Sequence, residues 1–254
     1  MDYWMYGLFL VAGFFCGLIN TIAGSGSLIS LPLLIFAGLP ANVANGTNRV
    51  AILMQSVIGI AGFAKHGRLD FRHGAWLVLP SVVGAVVGAQ VAVDLDERLM
   101  RLSLAVIMFL MLGLILARPK RWLRGSGVET PPKVTWKEVV SFFAIGFYGG
   151  FIQAGVGIFL LASLVLVSGY DLVKANGVKL MLVLAYTPFA LAVFVAADQV
   201  DWLLGLWLGV GNMVGAWVGA RMAVQKGAGF VRWVLVGVVA ISALKLMYDA
   251  MVTF

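Results

Sequence analysis

The feature that most constrains this chain is an internal duplication whose two copies carry opposite charge patterns. GFFCGLIN at 13–20 returns as GFYGGFIQ at 146–153, a spacing of 133, and Ala44-Asn45-Gly46-Thr47 returns as Ala175-Asn176-Gly177-Val178, a spacing of 131. At that second spacing Asp70 falls on Asp201, Trp76 on Trp207, Gly84 on Gly215, Gly88 on Gly219 and Arg101 on Arg232. The second copy is therefore two residues shorter between the two motifs. A unit used twice over most of a chain points to a site shared between the copies.

The copies belong in a bilayer. Hydrophobic residues make up 62% of the 254 and charged ones 11%, more apolar surface than a water-soluble fold of this size can hide. Apolar runs near 3–22, 74–93, 99–117, 202–220 and 231–248 approach the roughly 20 residues that cross about 30 Å of hydrocarbon. The expected class is an all-α polytopic membrane protein. The formal charge of +7 does not point to nucleic acid, because the cations cluster in short loops, as cytoplasmic loops do. Asp2 in place of a basic leader, with an apolar stretch that runs into the repeat, argues against a cleaved signal peptide. Cys16 is alone, so no internal disulfide forms.

Loop charges set the expected topology. Loop 65–73, with Lys65, Arg68 and Arg72, and linker 118–137, with Arg118, Lys120, Arg121, Arg124, Lys133 and Lys137, should be cytoplasmic. The turn with Asp94, Asp96 and Glu97 then faces outward. In the second copy the signs reverse: Asp198–Asp201 has no cation, and 221–232 has Arg221, Lys226 and Arg232 but no acid. Equivalent loops fall on opposite sides, so the halves, 1–117 and 138–254 joined by the basic linker, form inverted repeats of about five segments each. Both chain ends are expected outside a bacterial cytoplasmic membrane.

The second segment of each half, 27–39 and 157–169, is too short to span, and glycine-rich turns at 23–27 and 155–157 precede them. Short, glycine-broken segments at matching positions mark a transport site, so a helical hairpin is expected to enter from each side with its tip near the midplane. The glycine series Gly84-Gly88 and Gly211-Gly215-Gly219 suits close helix packing, within one protomer or at a homodimer seam.

The carboxylates all fall in loops or at segment ends, which argues against a cation pathway lined by acids. His66 and His73 share a cation-rich loop and are expected to be solvated, and nothing has metal-ligand spacing. A lipid or quinone enzyme would need a base, nucleophile or metal at membrane depth, so no catalytic residue and no cofactor is expected. What remains inside is neutral or cationic. The first half offers Asn20, Ser25, Gly26, Ser27, Asn45, Thr47, Asn48, Arg49 and Gln55, and the second offers Gln153, Asn176, Lys179, Tyr186 and Thr187. A cation is expected at the start of the helix after each hairpin, Arg49 in one and Lys179 in the other, which is chemistry for a small anion. The plainer alternatives are that these cations snorkel to the interfaces, that Asn45 and Asn176 are helix caps, and that Asn212 and Gln90 bond between helices.

At these residues the chain resembles the sulfite exporter TauE/SafE family. The stretches that carry the likeness are GLINTIAGSGSLISLPLLIFAGLPANVANGTNR, GGFIQAGVGIFLLASLVLVSGYDLVKANGVK, and the paired turns Gly67-Arg-Leu-Asp-Phe71 and Gln199-Val-Asp-Trp202. It covers about residues 7 to 250. The resemblance implies export or import of small sulfur-containing or organic anions such as sulfite, thiosulfate or sulfoacetate. The leading expectation is alternating access between the hairpin tips, and an inside-negative potential favours export. The second half departs from the pattern at Ser163, where the first has Pro32, and at Val178, where the first has Thr47. The competing class is a membrane scaffold or assembly subunit that transports nothing.

Overall fold

The computed structural model describes the backbone of residues 3–67, 69–116 and 134–252, and side chains within them except at 3–4, 108–109, 111–116, 228–229, 231–232 and 234–252. Arg68 and most of the basic linker lie outside the described residues. The described chain is helical: α1 Tyr3–Ala23, α2 Ser27–Phe36, α3 Ala41–Lys65, α4 Phe71–Val93, α5 Glu97–Leu116, α6 Trp136–Phe151, α7 Val156–Leu166, α8 Leu172–Ala196 and α9 Trp202–Val252. Gly227, at φ 73, interrupts α9. Among the described residues, five stretches are long and apolar enough to cross a bilayer: Met5–Ala23, Ala41–Lys65, Phe71–Val93, Leu172–Ala196 and Trp202–Gly227. This is a multi-pass membrane protein.

Local sequence sets the boundaries. Asp70 caps α4 by accepting from the His73 amide, Asp171 caps α8 by accepting from Val173 and Lys174, and Thr135 with Glu138 forms a capping box on α6. The short arms α2 and α7 have 10 and 11 residues, enough for only about 15 Å of rise.

The duplication reappears in the backbone. Left-handed residues at Gly24, Gly38 and Gly67 are matched by Gly155, Gly169 and Asp198, each 131 positions later. These are the points where the chain reverses, and Asp198 does at φ 56 what Gly67 does at φ 64. The two-residue difference sits just before the second tip. There α1 stays helical through Ala23, whereas α6 stops at Phe151 and Ile152 is extended.

Each half lends its first helix to the other half's fourth. In α1 and α9, Gly13 lies against Leu208 and Gly211, Gly17 against Asn212, and Gly215 against Phe14. In α4 and α6, Gly84 and Gly146 lie against Phe143 and Ser81, and Gly88 and Gly150 against Phe147 and Ala85. A Cβ at any of these glycines would overlap opposing backbone, so the series packs within the protomer. The outer faces are large and apolar: Trp76, Leu79, Val83 and Val87 on α4, and Trp207, Val210, Val214 and Trp217 on α9 are exposed. Small buried faces and bulky exposed ones are the pattern of helices solvated by lipid.

The turns gather at two ends. At one, Asp70 and His73 at the start of α4 meet Tyr170 and Glu138. At the other, Asn42 donates to the Leu95 carbonyl, Gln199 donates to the Val93 carbonyl, and Glu97 accepts from the Ala41 amide. The 23 residues of α4 separate these ends, about 34 Å at helical rise. The basic 65–73 loop and the acidic 198–201 loop therefore lie at opposite ends of the helix stack.

Candidate functional site

The two helix breaks meet. Gly24 at the first tip and Gly157 at the second approach so closely that a Cβ on either would collide with the other's backbone. Around this crossing lie most of the polar residues that the sequence singles out, drawn inward because lipid offers the frayed helix ends no hydrogen bonds.

Each break exposes carbonyls at the C-terminal end of a helix, and α3 and α8 of the opposite half satisfy them. Asn45 donates to the Phe151 carbonyl at 2.7 Å, and Asn176 donates to the Ile22 carbonyl at 3.0 Å. Arg49 donates through Nη1 to the Gly149 carbonyl (2.9 Å) and to Gln153 Oε1 (3.3 Å), and through Nη2 to the Gly150 carbonyl (2.5 Å). Lys179 donates through Nζ to the carbonyls of Asn20 (2.8 Å) and Thr21 (3.1 Å) and to Asn176 Oδ1 (2.7 Å). Three acceptors match the three N–H groups of an ammonium.

These positions correct several sequence expectations. Arg49 and Lys179 do not begin their helices, since α3 starts at Ala41 and α8 at Leu172. They sit about two turns in, which brings them level with the breaks instead of the interfaces. Neither snorkels: Arg49 is 0% exposed and Lys179 1%. Asn45 and Asn176 are not caps, because Pro40 and Asp171 hold those places. No carboxylate among the described residues pairs with either cation. The described ion pairs are His73–Glu138 and Arg101–Glu97.

The remaining candidates fall into two groups. Asn48 reaches α2, donating to Ser27 Oγ (3.3 Å) and accepting from Ser30 Oγ (2.6 Å). Gln153 donates onward to Thr187 Oγ1 at 3.5 Å. Ser25 is buried at the tip with its hydroxyl unpartnered, and Gly26 precedes α2 beside Asn20. Thr47 lies toward the acidic end and accepts from the Asp201 amide at 2.8 Å. The crossing leaves further polar atoms without a partner: Arg49 Nε, Tyr186 Oη, Thr21 Oγ1 and both amide atoms of Gln55. The Phe194 ring covers the guanidinium of Arg49 at 4.5 Å.

Tyr186 and Thr187 stand 131 positions after Gln55 and Ser56, a spacing that places a buried polar pair on the same turn of both halves. Asn212 has no partner among the described residues, and Gln90 is exposed, so neither makes the expected interhelical bond. The cleft at the surface, about 460 Å³ and lined by Gln90, Val93, Asp94 and Ala196, is between α4 and α8 toward the acidic end. It does not reach the crossing, where Ser25, Arg49 and Lys179 are buried.

The expectation of solvated histidines holds for His66 and fails for His73. His66 is exposed, whereas the Asp70 cap turns His73 inward to Glu138 at 2.9 Å. Glu138 is a segment-end carboxylate, yet it is fully buried and also accepts from Ser168 Oγ at 2.6 Å. Tyr170 donates to Asp70 at 3.0 Å. Burial, with the Asp70 carboxylate beside it, pushes the Tyr170 phenol above its usual range, so it remains a donor.

Comparison with known proteins gives one consistent picture. The family described as Sulfite exporter TauE/SafE matches residues 9–246. The probable membrane transporter protein ORF9 of Sinorhizobium sp is 31% identical over 94% of this chain and 91% of its own. The probable membrane transporter protein YfcA of Escherichia coli strain K12 is 26% identical over 97% and 91%. A probable membrane transporter protein of Haemophilus influenzae is 24% identical over 96% and 95%. No solved structure matches.

Proposed function

We propose that the helix crossing is the anion site of this chain, which belongs to the sulfite exporter TauE/SafE family and is a membrane transporter, not an enzyme. The observation that carries the proposal is the burial of two cations, Arg49 and Lys179, with no carboxylate paired to either among the described residues. Neutral carbonyl and amide oxygens solvate each cation without cancelling its charge. Burying net positive charge costs several kcal/mol per ion, and a bound anion offsets what remains of that cost.

The site so proposed takes Asn20, Ser25, Gly26, Ser27, Asn45, Asn48, Arg49, Gln153, Asn176 and Lys179, while Thr47 stands apart, on the Asp201 amide. Arg49 Nε, the hydroxyls of Thr21, Ser25 and Tyr186, and the Gln55 amide are among the donors not used by protein. The Lys179 ammonium has its three N–H groups engaged and acts on the anion through its field. The substrate class is a small oxyanion or organosulfonate such as sulfite, thiosulfate or sulfoacetate, whose several acceptor oxygens suit such donors.

In this reading the halves are inverted repeats, with the basic end of the stack cytoplasmic, both termini outside, and the protein in the cytoplasmic membrane. The closed crossing is the occluded state of an alternating-access cycle, and the two hairpins are its gates. An inside-negative membrane drives a monoanion outward with about 2.3 kcal/mol per 100 mV, so export needs no coupling ion. The test is a thermal-shift series on purified protein with sulfite, thiosulfate and sulfoacetate. A ligand of the native state raises the melting temperature, and Arg49→Gln should remove that rise while the variant stays folded. A scaffold subunit would respond to none of the anions.

A further inference from the structure

We infer that Arg49 and Lys179 are tethered counter-ions that fill, from the opposite half, the cation positions created by the two helix breaks. Neither of these two breaks therefore needs an alkali-metal cation. Only the flux arm of the test below rests on the transport function proposed above.

The argument begins with the breaks. A helix interrupted inside a bilayer leaves its last carbonyls without donors and the negative end of its dipole unsolvated. In transporters with discontinuous helices, such ends commonly coordinate sodium or a proton. Both breaks here have a ring of oxygens of that kind. The α1 end presents the carbonyls of Asn20 and Thr21, completed by Asn176 Oδ1. The α6 end presents the carbonyls of Gly149 and Gly150, completed by Gln153 Oε1.

Each ring is already occupied. Nζ of Lys179 lies 2.7 to 3.1 Å from all three of its oxygens, and the Arg49 guanidinium spans its three at 2.5 to 3.3 Å. The amide that completes each ring is itself oriented by a further bond. Asn176 donates to the Ile22 carbonyl, and Gln153 donates to Thr187, so both amide oxygens face the cation. The wiring is reciprocal, with α8 of the second half serving α1 and α3 of the first half serving α6. A covalently attached side chain cannot diffuse away between cycles, so its N–H donors stay at the break. A sodium-coupled site has charge only while the ion is bound.

The test uses the whole protein in detergent and in proteoliposomes. In Lys179→Ala, propylammonium replaces the atoms removed and presents the same three donors. Tetramethylammonium has equal charge and no N–H donor. Propylammonium is expected to raise the melting temperature of Lys179→Ala by about 3 °C or more above tetramethylammonium, with no such difference for wild type. Equal effects of the two cations on the variant would overturn the inference. Should Lys179→Ala fail to fold, wild type decides alone. Its melting temperature is expected to be the same in sodium, potassium and N-methylglucamine salts, and a sodium-specific rise would contradict the proposal. In proteoliposomes, anion flux by wild type should not depend on sodium, and flux lost in Lys179→Ala should return with propylammonium. Sodium-dependent wild-type flux overturns the tethered-ion inference. If wild type moves no anion, the transport function falls and the thermal measurements still decide this one.

Discussion

Gly24 and Gly157, one from each half, meet backbone to backbone where the two broken helices cross. Gly24 is also left-handed at φ 78, so it faces two independent restrictions, conformation and space. Gly157 faces only the second. Gly157→Ala should destabilise the protein by about 1–3 kcal/mol through overpacking, and Gly24→Ala should cost more because strain at positive φ is added. Thermal unfolding in detergent measures both, and the order of the two variants is the informative result.

The cross-ties from α3 and α8 make a second prediction. Asn45→Leu and Asn176→Leu each leave a helix-end carbonyl, of Phe151 or of Ile22, without its side-chain donor. An unsatisfied buried acceptor costs about 1–3 kcal/mol. Asn176→Leu should be the worse of the two, because Asn176 Oδ1 also accepts from Lys179. Equal losses in chemical denaturation would show that the lysine does not depend on this amide.

Arg49→Lys is not conservative at its position. The guanidinium reaches Gly149, Gly150 and Gln153 together through two nitrogens, a fork that one ammonium cannot reproduce. Arg49→Lys is expected to keep the protein folded while weakening anion binding by about tenfold or more, since about 1.4 kcal/mol is one hydrogen bond to a charged group. Isothermal titration with sulfite or sulfoacetate reads it.

Much of this was legible in the chain. The 131 spacing recurs in the paired left-handed positions and in the paired asparagines, because chain reversals and buried amides need particular residue types. The short arms were visible as apolar runs cut by glycine. What the sequence concealed was partnership across halves. Arg49 and Gly149 are 100 positions apart, and nothing local says that a buried cation will end on carbonyls instead of at an interface. The inward turn of His73 was hidden for the same reason, since its partner Glu138 lies 65 residues away.

That pair yields its own prediction. Removing His73 as His73→Leu leaves the fully buried Glu138 with its other donors, from Ser168 and Thr135, but without its ring partner. Breaking a buried pair from one side costs about 3–5 kcal/mol, and the remaining donors should hold the loss to the lower part of that range. His73→Gln, which restores a donor of similar reach, should recover most of it. Urea or thermal unfolding of the two variants gives the comparison.

Topology is open to a direct check. In a Cys16→Ala background, cysteines placed at the exposed His66 and Ala197 should be labelled from opposite faces of the cell by an impermeant maleimide. The cytoplasmic face should be that of His66.

The measurement closest to the central claim is anion binding by wild type beside Arg49→Gln, both followed by thermal shift and by flux into proteoliposomes. The buried, unpaired cations predict that at least one of sulfite, thiosulfate or sulfoacetate stabilises and is moved by wild type, and that folded Arg49→Gln does neither. A folded Arg49→Gln that binds and moves the same anion as well as wild type would contradict the account.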